Sequence, residues 1–223
     1  MIDYWRQADL IPPEALATPV TVIGAGGIGS PVALALAKMG CRSLTLYDPD
    51  VVEPHNLPNQ FYRLRDVGRP KVEALAELLG EFAASDVRAV PETVAGQPLQ
   101  GMVISGVDSM ESRERIWQES VRFRAAVPLY IDARMGAQVC RVLTVRPVDP
   151  DDVRWYEATL YPDEEANEEP CTARAIIYTA LGLASLVANQ VKRHALGEDY
   201  ERDLLVDFAT MSVLRGRELH GDG

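Results

Sequence analysis

Hydrophobic positions along the chain fall into two kinds of segment, short apolar runs and longer amphipathic stretches. The short runs are rich in β-branched residues and end at glycine or aspartate, which predicts buried strands. The longer stretches repeat apolar residues at helical spacing, and two of them begin with proline, which predicts helices. We predict strands over Val20–Ile23, Ser43–Tyr47, 102–106, 129–133, Val139–Val145 and 204–208, and helices over 31–39, 70–82, 109–123 and 172–194.

The order of these elements alternates strand and helix over the first two thirds of the chain. Such an order favours an α/β fold, with a Rossmann-like, mostly parallel sheet and helices on both faces. Residues 149–170 are polar and strongly acidic. That segment is long for a connection inside a compact domain, so we predict a functional or mobile crossover loop, followed by the long helix and a closing strand.

Composition is that of an ordinary globular domain, with 47% hydrophobic and 25% charged residues in 223,. We predict one domain over 1–223, cytoplasmic because no export leader opens the chain, and without a membrane span because the apolar stretch 175–191 is short and contains polar residues. The net charge of −11 argues against DNA binding,. Cys41, Cys140 and Cys171 include no C-x-x-C pair, so neither a disulfide framework nor a zinc site is expected.

Glycines at positions 24, 26, 27 and 29 lie between the first strand and the first helix. Gly24, Gly26, Gly27 and Gly29 would let the backbone approach phosphate groups, which the helix N-terminus attracts. Asp48 ends the second strand and is placed to accept hydrogen bonds from ribose hydroxyls. A nicotinamide cofactor would need the same residues, so the turn leaves the nucleotide open.

The polar segment after the second strand separates these possibilities. A triphosphate needs side-chain donors beyond the glycine turn and a cation near the phosphates. Asn56 and Gln60, four residues apart, can present their amides from one side of a short turn, and Lys71 begins a helix,. We therefore predict that the nucleotide is ATP. The nucleotide-binding part of the domain is predicted at about 18–147, and the acidic crossover loop and the C-terminal part at about 148–223.

At this point the chain resembles the MoeB/ThiF family, whose members activate ubiquitin-like proteins. The resemblance covers almost the whole chain. It is carried by Tyr4, Arg6 and Gln7, by the turn 24–30, by Asp48, Asp50, Val52, Asn56, Leu57 and Gln60, by Gly68, Pro70 and Lys71, and by 106–109 with Arg113.

The resemblance implies a role for each candidate residue. The four glycines would wrap the nucleotide, Asp48 would bind ribose, and Asn56, Gln60 and Lys71 would contact the phosphates. Asp108 would hold Mg²⁺, although it could also cap the helix that follows it. Arg6 would reach into the active site of the other subunit of a homodimer, or else be a solvated side chain near the chain end.

The chain departs from the family pattern in two places. Asn59 stands where the family usually has arginine, and we hypothesise that Arg63 or Arg65 replaces that phosphate contact. The zinc cysteines of many relatives are absent. Cys171 precedes the long helix, where the resemblance implies a nucleophile for a thioester or persulfide step; a buried structural cysteine is the alternative.

The function implied is ATP-dependent adenylation of the C-terminal glycine carboxylate of a small ubiquitin-like or sulfur-carrier protein, with transfer to Cys171 as a further step if that cysteine is the nucleophile. Two alternatives stay open. One is adenylation of a carboxyl group on tRNA or a small molecule. The other is a non-catalytic, dimeric scaffold that binds nucleotide. A nicotinamide dehydrogenase is more remote.

Overall fold

The computed structural model describes residues 2–83, 85–162 and 176–216. Their regular elements are eight strands and five α-helices. The strands are β1 Val20–Ile23, β2 Ser43–Tyr47, β3 Asp86–Val90, β4 Met102–Ser105, β5 Tyr130–Gly136, β6 Val139–Val145, β7 Asp203–Asp207 and β8 Ser212–Arg215. The helices are α1 Gly29–Met39, α2 Lys71–Ala83, α3 Met110–Ile116, α4 Pro150–Glu157 and α5 Ile177–Ala195.

The eight strands form one sheet in the order β3-β2-β1-β4-β5-β6-β7-β8. The strands β1 to β5 are parallel, and β6, β7 and β8 are added by antiparallel pairing. The chain order reverses between β1 and β4, and ligands of such sheets bind beyond the carboxyl ends of the strands at this point. The α/β class and the mostly parallel sheet predicted from the sequence are confirmed.

Alternating residues of the central strands feed two hydrophobic cores, one on each face of the sheet. Val22 packs with α1, α2 and α5 in the larger core. Its neighbour Ile23 packs with Ile116, Trp117 and Tyr156 in the smaller core, under α3 and α4. Helices therefore cover both faces, and the edge where the parallel strands end stays accessible.

Several boundaries differ from the prediction. The edge strand β3 was not predicted, nor was β8, whose four residues are all exposed. The prediction of an irregular loop from residue 149 was wrong in its first part, because α4 begins there with Asp149 as its N-cap. The helix predicted over 109–123 is α3 followed by a wider helical turn, Trp117–Val121. The start of the predicted helix 172–194, and most of the acidic segment, lie outside the described residues.

The helix α5 is the longest described, with 19 residues, and one side of it lies in the larger core. No helix in the described ranges combines the length and apolar character needed to cross a membrane.

Candidate nucleotide-binding site

A cleft of about 950 Å³ opens where the parallel strands end. Its wall is formed by the glycine turn, the polar loop after β2, the start of α2, the turn after β4 and the end of β5. Most of the residues singled out in the sequence meet there: Gly24, Gly26, Gly27, Asp48, Asn56, Gln60, Lys71 and Asp108.

The glycine turn allows three backbone segments to approach closely. Gly24 has φ +88°, and a Cβ on it would lie 2.9 Å from the carbonyl oxygen of Gly106. A Cβ on Gly29 would lie 1.7 Å from the Gly24 carbonyl oxygen. Gly29 is not among the residues that line the cleft. Glycine is required at this position because α1 packs directly on the turn.

Four backbone amides, in the glycine turn and at the first residue of α1, have no hydrogen-bond partner among the described residues, and three of them belong to residues that line the cleft. The N–H groups of Gly26, Gly27, Ile28 and Gly29 donate no hydrogen bond to any other described residue. Free N–H groups at a helix N-terminus, together with the helix dipole, form a binding site for an anion such as phosphate.

Asp48 connects the end of β2 to this turn. Its carboxylate accepts hydrogen bonds from the backbone N–H of Ala25, at 2.6 Å, and of Asp50, at 2.9 Å. Burial raises the pKa of Asp48 above its ordinary value, although these two N–H groups oppose the shift. Each carboxylate oxygen retains accepting capacity, so Asp48 can pin the turn and still accept a hydrogen bond from a ligand hydroxyl.

Lys71 is held at the start of α2 by pairing between two loops. Val51 and Pro70 form an antiparallel bridge, and the backbone N–H of Lys71 donates to the carbonyl of Asp50 at 2.9 Å. The Lys71 ammonium lies 2.8 Å from the Asp50 carboxylate. The Lys71 side chain is only 9% exposed, whereas that of Asp50 is 63% exposed. The site thus contains a buried cation whose acidic partner is largely exposed to solvent.

Two amide side chains lie in the loop after β2. The Asn56 Oδ1 accepts from the backbone N–H of Glu53 at 2.8 Å, and this bond closes a tight turn. Gln60 lies over the glycine turn, with its Nε2 3.9 Å from the position of a Cβ on Gly26. The Oε1 of Gln60 is buried and has no hydrogen-bond partner in the described chain. An unsatisfied buried amide beside an anion site fits a bound polar ligand.

The hypothesis that Arg63 or Arg65 replaces the family's arginine is wrong. Arg63 binds Asp66, Glu77 and Glu81, and Arg65 lies against the same two glutamates. Neither arginine is among the residues that line the cleft. Asn59 does line it, and its Nδ2 lies 3.8 Å from the position of a Cβ on Gly27.

Asp108 lies on the opposite wall, in the turn after β4. The alternative that Asp108 caps the next helix is wrong, because the N-cap of α3 is Ser109, whose Oγ accepts from the Ser112 N–H at 3.2 Å. Asp108 is exposed and forms no hydrogen bond or ion pair with another described residue. Over the described ranges no cluster of three or more histidine, cysteine or acidic residues could hold a metal ion.

A charged network that the sequence analysis missed lies beneath this wall. Asp132, fully buried on β5, accepts from Arg113, from Arg134 Nε at 2.8 Å and from the Tyr156 hydroxyl at 3.1 Å. Burial alone would raise the pKa of Asp132, but the two guanidinium groups outweigh it and hold that pKa below its ordinary value. Arg113 also donates to the carbonyl of Val107, which fixes the turn beside Asp108. A buried strand carrying Asp and Arg two residues apart, on one face, was the available signal.

Arg6, Cys41 and Cys140 lie outside this cleft. The N-terminal segment docks at the far end of α1, where Gln7 donates to the Met39 carbonyl at 2.6 Å. That end is about 16 Å from the glycine turn along the 11-residue helix,. Arg6 therefore stays away from the cleft of its own chain, and its entry into a partner's site remains a prediction.

Two of the three cysteines are buried, and the third lies outside the described residues. Burial raises the pKa of Cys41 and Cys140 to about 12 each, as expected of structural thiols,. Cys171, the candidate nucleophile, lies outside the described residues.

The fold and the cleft together define a Rossmann-type protein with an anion site at the glycine turn. A family model described as "ThiF family" matches residues 14–219. The chain belongs to the ThiF family, which confirms the resemblance found in the sequence.

Two curated relatives illustrate the match. The sulfur carrier protein ThiS adenylyltransferase of Escherichia coli is 27% identical over 178 residues, covering 76% of this chain and 68% of that enzyme. The NEDD8-activating enzyme E1 catalytic subunit of Arabidopsis thaliana is 36% identical over 105 residues, covering 44% of this chain and 23% of that subunit. The match to this second relative therefore spans less than a quarter of its length.

Two solved structures share the architecture. MccB of E. coli, in a structure with AMPCPP and MccA, has a TM-score of 0.70 at 16% identity and covers 92% of this chain and 65% of its own. PaaA also has a TM-score of 0.70, at 19% identity, and covers 94% of this chain and 68% of its own. At these identities the likeness shows a shared fold alone.

Proposed function

We propose that this protein binds ATP with Mg²⁺ and adenylates the C-terminal glycine carboxylate of a small ubiquitin-like or sulfur-carrier protein. The observation that carries the proposal is the cleft itself. It combines in one place the backbone amides of the glycine turn, the buried ammonium of Lys71 and the carboxylate of Asp108, and among the described residues these amides and this carboxylate have no partner. The ThiF family match and the activating enzymes among the relatives support the same activity.

Each wall of the cleft would serve a different part of ATP. Asp48 receives the ribose hydroxyls, while the amides of Gly26 and Gly27 face the phosphates. Lys71 turns from Asp50 to the phosphates, and Asn56 and Gln60 contribute their amides. Asp108 would hold the Mg²⁺ ion, which supplies charge neutralisation on the phosphates when bound.

The chemistry needs alignment more than proton transfer. An oxygen of the substrate carboxylate attacks the α-phosphorus, a new P–O bond forms, and the bond to pyrophosphate breaks. The carboxylate is already ionised at neutral pH, so no general base is required. Lys71 and an Arg6 from the partner subunit neutralise the charge that develops on the phosphates, and fixed positions lower the barrier.

Three further elements belong to this proposal. The chain acts as a homodimer, so that each Arg6 reaches the other subunit's cleft. If the Cys171 thiol is the nucleophile, it attacks the acyl carbon of the adenylate, so that a thioester forms and AMP leaves. The protein works in the cytoplasm, which its two buried free thiols, Cys41 and Cys140, support,.

ATP–pyrophosphate exchange tests the activity. Exchange that depends on a carrier protein ending in a free glycine carboxylate supports the proposal, and a carrier whose terminal glycine is amidated should give none. Exchange stimulated by tRNA or a small acid instead would assign another substrate class. Binding of NADH without binding of ATP would overturn the proposal.

One observation favours a second candidate, a nucleotide-binding dimeric scaffold. Asn59 replaces the expected arginine, and neither Arg63 nor Arg65 takes its place in the cleft. Loss of one charged hydrogen bond to phosphate weakens the interaction by about 1.5–3 kcal/mol. Tight binding of a non-hydrolysable ATP analogue, with no exchange for any carrier, tRNA or acid, would support the scaffold.

A further inference from the structure

Two buried guanidinium groups share a single carboxylate below the β5 end of the cleft. Arg113 is 5% exposed, Arg134 is 2% exposed, and Asp132 is fully buried. Within the described ranges, Asp132 is the only carboxylate that forms an ion pair with either arginine. Arginine is always charged, and the pKa of Asp132 is low, so this cluster carries one net positive charge,.

A buried net charge is unfavourable unless an opposite charge lies nearby. The Tyr156 hydroxyl donates to Asp132, but a neutral phenol contributes no charge. Arg113 and Arg134 both line the cleft, and that is the side from which an anion can reach them. Among the described residues no second carboxylate pairs with these arginines, so a carboxylate ligand in the cleft would supply the opposite charge,.

Arg134 is held firmly for such a role. Its Nε donates to Asp132 at 2.8 Å, one terminal nitrogen donates to the carbonyl of Thr159 at 3.0 Å, and the other donates to the Thr159 Oγ1 at 3.2 Å. The terminal nitrogen that donates to the Thr159 Oγ1 also lies 2.8 Å from the Asp132 carboxylate. A guanidinium carries five N–H donors, so these contacts leave one, on the other terminal nitrogen, for a ligand. Since the geometry is fixed before binding, little conformational entropy is lost when an anion arrives.

The order of strands indicates which anion this is. Along the cleft, Asp48 follows β2, the glycine turn follows β1, Asp108 follows β4, and Arg134 lies on β5. Strands are about 4.8 Å apart, so β5 lies about 14 Å from β2. With ribose at Asp48 and phosphates at the glycine turn, the β5 end is left for the group that attacks the α-phosphorus.

We propose that Arg134, positioned by Asp132 and supported by Arg113, binds the free carboxylate of the acyl substrate before adenylation. This inference rests on the proposed function and gives it a selectivity: the site takes a carboxylate and rejects the corresponding amide, which has no charge to offer the cluster. Asp132 and Arg113 are positioning residues, and Arg134 contacts the substrate.

The test uses glycylglycine as a minimal probe and glycylglycine amide as its control. Binding of each dipeptide to the whole protein, saturated with the non-hydrolysable analogue AMPCPP, is followed by NMR. The wild-type protein should bind the acid and show at least about tenfold weaker binding of the amide, as expected for loss of one charge-assisted contact. Arg134→Met should weaken the acid by a similar factor, while the affinity for AMPCPP stays within about twofold.

Four results would overturn the inference. For the wild type, they are equal binding of acid and amide, and no binding of the acid at tens of millimolar. For Arg134→Met, they are unchanged binding of the acid, and a loss of AMPCPP affinity equal to the loss of acid affinity, which would assign Arg134 to the triphosphate. The acid-against-amide comparison needs only the wild-type protein, so equal binding would overturn the inference even if the variant does not fold. Failure of the wild type to bind AMPCPP at all would instead overturn the proposed function.

Discussion

Lys71 provides the most direct test of the nucleotide site, because its contribution to ligand binding can be separated from its contribution to folding. Among the described residues, its ammonium has one acidic partner, Asp50, at 2.8 Å. Asp50 is 63% exposed, so Lys71→Met leaves a carboxylate in water rather than a stranded buried charge. Because Asp50 is largely in water and methionine keeps the apolar stem of the buried lysine, we expect the free energy of unfolding to fall by no more than about 1 kcal/mol.

The effect on nucleotide affinity should be larger. A hydrogen bond between a charged donor and phosphate contributes about 1.5–3 kcal/mol. Since 1.4 kcal/mol corresponds to a factor of ten, Lys71→Met should raise the Kd for AMPCPP by about 10- to 150-fold. Isothermal titration calorimetry measures the Kd, and thermal unfolding measures stability.

Lys38→Met is the matched control. It removes the same charge from the exposed outer end of α1, where the Lys38 ammonium donates to the carbonyl of Phe82. We expect its Kd for AMPCPP to equal that of the wild type. Equal Kd values for Lys71→Met and Lys38→Met, with both proteins folded, would refute the assignment of Lys71 to the phosphates.

Three further predictions address the turn, the buried network and the departure from the family. Gly29→Ala should lower the unfolding midpoint strongly, because its Cβ would lie 1.7 Å from a carbonyl oxygen,. Gly26→Ala should leave stability nearly unchanged and weaken AMPCPP binding. A stable Gly29→Ala protein and a strongly destabilised Gly26→Ala protein would contradict this packing. The pKa of Asp132 lies below its ordinary 3.8, so the stabilisation by its carboxylate is present at neutral pH and is lost as the pH falls through the lowered value,. The free energy of unfolding of Asp132→Asn should be about 3–5 kcal/mol below that of the wild type at pH 7, and it should fall less on further acidification. Asn59→Arg should tighten AMPCPP binding about tenfold, and Arg63→Ala should leave it unchanged; calorimetry on both checks whether the missing arginine matters.

The elements that the sequence predicted well are those whose burial is uniform. Every residue of β1 is buried, so its apolar run ended by glycine leaves little alternative. By contrast, β3 is a half-exposed edge strand, and its mixed polar and apolar residues resemble a loop. The helix α4 was missed because only Asp152, Val153 and Tyr156 are buried on it, and its acidic first turn resembled the solvated segment that follows.

The residues of the candidate site also differ in how well the sequence predicts their roles. Backbone requirements, such as glycine at position 24, leave a local pattern that can be read without the fold. The role of Arg134 depends on which charged residues meet it across strands and helices, and nothing local reports that Thr159 and Asp132 lie beside it. For Arg63 the sequence was misleading, because its spacing from Asn59 predicted a position in the cleft. In the structure its guanidinium instead forms ion pairs with two glutamates of α2.

The deep burial of two thiols gives this chain a convenient chemical property. Cys41 and Cys140 are each about 1% exposed, and a thiol with a pKa near 12 has almost no nucleophilic form at neutral pH. Brief alkylation of the native protein should therefore leave both unlabelled. Any adduct that mass spectrometry detects can be assigned to Cys171 without replacing a residue, so the chemistry of that position can be followed in the unaltered protein during turnover.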